Sequence, residues 1–120
     1  MLRLICATVL LLPTLAHAEV LAGKAGYLSE WEIKATVAAT KGEFSGPMTM
    51  THVGLCAVAG PLEKVGEIRY RLSGVLTSKM DATLTFDGER CGFSAFRSEG
   101  YKGVMDCPGT KGVPLTIFVK

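Results

Sequence analysis

The chain has 120 residues, with 13 Lys plus Arg against 11 Asp plus Glu, a formal net charge of +2, 14 glycines and a hydrophobic fraction of 48%. So small an imbalance, with no basic cluster and no acidic block, argues against nucleic acid as a partner and against a charged disordered tail. The length allows one domain with a small core.

In chain order, residues 1–18 read as a secretory signal peptide. Arg3 supplies the positive start, Leu4–Leu12 an apolar run of nine residues, and Ala16-His17-Ala18 the small-x-small pattern cut by signal peptidase. A membrane-spanning helix needs roughly 20 apolar residues, so this run is too short to be an anchor, and no later stretch predicts a span. Cys6 sits early in the run without a small-residue cleavage site ahead of it, which argues against a lipoprotein. Cleavage after Ala18 predicts a single exported β-domain over residues 19–120. Its net charge is +1, because Arg3 is the only charged residue removed. The expected location is the periplasm or the extracellular space, where disulfides persist.

After Glu19 the stretch VLAGKAGYLS lacks clear alternation and reads as a short helix or a loose arm. Alternation then becomes the main signal. Trp31, Ile33, Ala35 and Val37 share one face of a strand, with Glu32, Lys34 and Thr36 on the other. Lys41-Gly42-Glu43 marks a turn, and GPMTMTH, residues 46–52, forms the next strand. Residues 57–66 are the longest connection. Ile68, Tyr70 and Leu72 then point inward from EIRYRLS, and Met80, Ala82, Leu84 and Phe86 from MDATLTFD. Asp87-Gly88 is a short-hairpin dipeptide, and Ser98-Glu99-Gly100 suits a three-residue turn with glycine in the left-handed position. Residues 108–112 turn the chain into VPLTIFV, where Val113, Leu115, Ile117 and Val119 share a face and Pro114 belongs at a strand start or edge. The sum is all-β: about seven antiparallel strands in a small meander barrel, partly open, or a sandwich.

The mature chain retains three cysteines, Cys56, Cys91 and Cys107. Folding 91–107 about the Ser98-Glu99-Gly100 turn sets Arg97 against Tyr101, Phe93 against Met105 and Cys91 against Cys107. That register also gathers the apolar side chains on one face. Opposed residues in an antiparallel pair are within disulfide reach, so Cys91–Cys107 is the expected bond. A bulge at Gly100 or Gly103 would spoil it and let Cys56 pair with either of the others; otherwise Cys56 is unpaired.

One stretch carries candidate chemistry. Met48, Met50 and His52 recur at a spacing of two and share one side of a strand. Two thioethers and an imidazole form a soft donor set suited to Cu(I) or Ag(I). Met48-Thr49-Met50 is similar to the Met-Thr-Met of the small periplasmic copper/silver chaperone barrels, and the resemblance covers those three residues. It implies a copper site completed by a histidine and a tryptophan. In that family both precede the methionines, whereas here His52 follows them, Gly46-Pro47 replaces the aromatic lead-in, and Trp31 lies much earlier. The competing reading of Met48 and Met50 is core filler.

Three functions follow as expectations. The first is a non-enzymatic binding domain for a protein or envelope component, or for a small apolar ligand in the barrel mouth, without a cofactor. Exported barrels that inhibit proteases or lysozyme are its nearest fold-level analogy. The second is soft-metal binding through Met48, Met50 and His52. The third is a thiol enzyme at Cys56, which lacks the group that would orient His52 as its base. Arg69, Arg71 and Arg97 suggest a small positive patch, or a solvated face balanced by Glu67.

Overall fold

The computed structural model describes residues 18–53 and 63–120. Eight strands follow in order: β1 (Ala18–Ala25), β2 (Trp31–Thr40), β3 (Glu43–His52), β4 (Glu63–Ser73), β5 (Lys79–Phe86), β6 (Glu89–Ser98), β7 (Gly100–Asp106) and β8 (Val113–Val119). Each pairs antiparallel with the next, and β1 pairs with β8, so the sheet closes into a meander barrel. Among the described residues there is no helix. The β1–β2, β5–β6 and β7–β8 turns, with the end of β3 and the start of β4, lie at one end, here the upper, and the β2–β3, β4–β5 and β6–β7 turns at the lower end.

Turn chemistry sets two of the hairpins. Lys41-Gly42 and Asp87-Gly88 both hold two successive positive φ angles, 53° and 78° in the first and 52° and 72° in the second. That is the two-residue turn whose twist matches antiparallel strands. The third hairpin uses Gly100 at φ 78°, as the Ser98-Glu99-Gly100 reading requires.

The interior is apolar and filled. Leu21, Ile33, Val37, Met48, Ile68, Tyr70, Met80, Leu84, Cys91, Leu115 and Ile117 are all fully buried, and among the described residues no polar or charged residue is buried. The inward sets read from alternation hold on β2, β4, β5 and β8. The two exceptions are end effects: Leu72 is 38% and Val119 37% exposed, because each sits where its strand runs past the core.

Two expectations are corrected. The segment after Glu19 is neither helix nor arm but β1, and the strand count is eight. The barrel is therefore closed and not partly open: β1 fills the gap, with Leu21 opposite Ala35 of β2 and Val119 of β8. Its signal is weak because Ala22, Gly23 and Ala25 are small. The closure itself demands this at Gly23, where a Cβ would overlap the Thr116 carbonyl of β8. Pro114 sits second in β8, at a strand start as expected.

Cys91 and Cys107 are joined in a disulfide with Cα atoms 4.2 Å apart. Gly92↔Asp106, Phe93↔Met105 and Arg97↔Tyr101 share one register, so no bulge at Gly100 or Gly103 shifts the pair. The expected signal peptide, apart from Ala18, which opens β1, and Cys56 lie outside the described residues.

Candidate functional site

Two places combine polar groups in a defined geometry. The first is the upper mouth. Met48 and Met50 point into the core, 1% and 3% exposed, opposite Ala35 and Ile33 of β2. His52 follows on the same side at the brim, where the core ends. Its cross-strand partner is Trp31, with ring centroids 4.9 Å apart in an edge-on arrangement. The alternation that buries the methionines thus brings a tryptophan 21 residues distant in sequence against the histidine. That proximity was missed on sequence, where Trp31 read as remote; the pairing of β2 with β3 was the signal that locates it.

His52 Nδ1 is buried, and among the described residues it has no hydrogen-bond partner. Across β3 from Met50 stands Lys64 of β4. Its ammonium lies 5.1 Å from the Trp31 ring centroid, 5.7 Å from that of Phe86, and 2.7 Å from the Asp87 carboxylate. A cation held between aromatic faces and a carboxylate is favourable on each count. The mouth therefore holds an imidazole whose Nδ1 has no partner among the described residues, with Met50 next below it on the same side of β3, and the Lys64 charge beside them.

The second place is the outside of the sheet. Cross-strand rows run Glu67–Thr85–Arg90, Arg69–Thr83–Gly92 and Arg71–Asp81–Ser94 over β4, β5 and β6. The β4 and β5 members of these rows, with Arg90 of β6 and Glu43 of β3, line an open groove of about 510 Å³. Arg69 Nε donates to Glu67 at 2.9 Å and Arg71 Nη2 to Glu43 at 3.1 Å. The Glu67 hydrogen bond and its charge raise Arg69 further above its already high ordinary value. Ser94 donates to Asp81. A neighbouring groove of about 470 Å³ shares Asp81 and Thr83 and runs past Gly92 and Val104 to Asp106. Gly92, which lines this second groove opposite Thr83, has open space where its Cβ would be. Exposed Phe96 and Val104 lie on this side of β6 and β7.

The patch read from sequence is thus Arg69 and Arg71 with Arg90, not Arg97. Arg97 falls on the inward-facing parity of β6 but beyond the core, at the lower end, where its N–H meets the Ser78 carbonyl. Glu67 does balance Arg69, as the solvated-face reading expected. The outer face as a whole carries Glu32, Lys34, Glu67, Arg69, Arg71 and Asp81, the reverse of a lipid-facing barrel wall. No helix among the described residues is long and apolar enough to cross a membrane.

Comparison with known proteins returns no match to a family model, to a curated protein or to a solved structure.

Proposed function

We propose that the chain is exported, cleaved after Ala18, and works in an oxidising compartment as a non-enzymatic binding barrel. Its partner is a protein or an envelope component, docked on the outer face of β3 to β7. One observation carries this reading: the interior is filled by apolar side chains, while the concave surface lies outside and mixes arginines, carboxylates and hydroxyls. A filled core argues against a small apolar ligand in the barrel mouth. Mixed charge beside exposed Phe96 and Val104 is the composition of a protein-docking surface, with an apolar centre and a polar rim. The disulfide is compatible with the periplasm or the extracellular space. The test is capture from envelope extract with the processed domain as bait, run beside Gly92→Arg. That variant fills the second groove beside Thr83, which both grooves share, without entering the core. A partner retained by the wild type and lost with Gly92→Arg supports the reading; a partner retained equally by both removes it.

A second reading, soft-metal binding, is favoured by the unpartnered Nδ1 of His52 above Met50. The donors fit Cu(I) or Ag(I), which prefer thioether and imidazole. Met48, Met50 and His52 would hold the ion, and Lys64 is the charge that competes with it. Titration with Cu(I) against a competing chelator tests this. Tight binding that disappears in Met50→Leu supports it, and absence of binding ends it.

A further inference from the structure

We propose that the reduced chain carries a cation site at the upper end of β6 and β7, in which Cys91, Cys107 and Glu89 bind zinc or a similar thiophilic divalent ion, and that disulfide formation closes it. The two sulfurs and a Glu89 carboxylate oxygen all lie within 4.8 Å of one another. Three groups so placed, two of them thiolates once the bond is reduced, match the donor set of an open zinc site.

Features besides the disulfide hold the three residues together. Glu89 opens β6 directly after the Asp87-Gly88 turn, whose backbone fixes where the strand begins. It stands two residues before Cys91, hence on the same side of the strand. Cys107 is held from its own side. Its N–H donates to the Thr110 carbonyl at 2.8 Å, and the Gly112 N–H donates to Asp106 at 2.8 Å. The pairs Gly92↔Asp106 and Phe93↔Met105 align the two strands beneath. Among the described residues Glu89 takes part in no ion pair, so its charge is uncommitted.

The chemistry balances. A thiol or phosphine reductant delivers two electrons, the S–S bond breaks, and two protons make two thiols. A divalent zinc ion then displaces both protons and forms two Zn–S bonds, with Glu89 as the oxygen ligand. Cys91 and Cys107 are 0% and 6% exposed whereas Glu89 is exposed, so the fourth position faces solvent and takes water. Reoxidation by a disulfide-bearing acceptor removes two electrons and releases the ion. A newly made chain, whose thiols are still reduced, would thus be loaded before it is stapled.

The test uses the processed domain, which lacks Cys6, with Cys56→Ser, so that only the two thiols in question remain. After reduction with a phosphine, zinc is titrated against a chromophoric chelator and cobalt(II) is followed by its thiolate charge-transfer band. The expected result is one ion per chain when reduced and none when oxidised. Glu89→Gln should weaken binding at least about tenfold, since even groups that merely orient ligands have effects of that order. No binding by the reduced chain, or binding indifferent to Glu89→Gln, overturns the proposal. Circular dichroism runs alongside. If reduction unfolds the chain, zinc should restore the strand signal at a lower concentration in the Cys56→Ser chain than when Glu89→Gln is added; failure to do so also overturns it.

Discussion

Tyr70 on β4 donates a hydrogen bond to the Glu19 carboxylate of β1, 3.3 Å away across the lower end of the barrel. Phe44 stacks on its ring at a centroid distance of 4.9 Å. Beside it, the Tyr101 hydroxyl meets Ser78 Oγ at 2.9 Å. These polar tips cap the apolar interior at its lower end. Burial, and next the negative charge of Glu19, disfavour the phenolate, so Tyr70 is pushed far above its ordinary value of 10.0.

The raised value predicts alkaline loss of stability. Below pH 10 the phenol is neutral in both folded and unfolded chains, and its contribution is fully present. Above pH 10 the unfolded chain releases the proton while the folded one keeps it, so stability falls by up to ~1.4 kcal/mol per pH unit from this group. Denaturant unfolding from pH 9 to 11 should show wild type losing stability more steeply than Tyr70→Phe. Equal slopes would show that Tyr70 is not the group responsible.

Removing the staple should cost more than any surface change. The Cys91–Cys107 bond closes a loop with a sequence separation of 16. A loop of that size corresponds to about 3 kcal/mol in the chain-entropy model. Cys91→Ser with Cys107→Ser should lower the unfolding free energy by roughly that amount, and a reductant should then have little further effect.

Gly88 and Gly92 should respond in opposite ways although both have open space at the Cβ position. Gly88 sits at φ 72° in the β5–β6 turn, so Gly88→Val forces a branched residue into the left-handed region and should destabilise by about 1–3 kcal/mol. Gly92 has no such backbone demand, so Gly92→Ala should be neutral within about 0.5 kcal/mol. Thermal melts of the two variants check this directly.

His52→Phe should stabilise the metal-free chain. An unpaired polar atom in a buried place costs about 1–3 kcal/mol, and phenylalanine keeps the edge contact with Trp31 without that atom. A gain on the order of 1 kcal/mol in urea unfolding is expected. A loss would show that Nδ1 is hydrogen-bonded in solution.

Alternation made most of the barrel wall legible in the sequence. Residues such as Ile33, Leu84 and Ile117 must face inward because a strand turns successive side chains to opposite faces, and water selects which face is apolar. The same rule, with the Gly100 turn, placed Cys91 opposite Cys107. Small side chains carry almost no such signal, which is why β1, with Ala22, Gly23 and Ala25, did not show itself as a strand. At the candidate sites, the line Met48, Met50, His52 was readable because it lies on one strand. Trp31, Lys64 and Asp87 were not, because their meeting depends on cross-strand register.

The sequence by itself determined an antiparallel all-β chain and its inward faces and favoured one cysteine pair, since these follow from local periodicity and turn chemistry. Only the tertiary structure decided that the sheet closes, that Arg90 and not Arg97 completes the outer groove, and that Glu89 stands beside the sulfurs. Closure joins the first strand to the last, and no local pattern records a contact between residues a whole domain apart.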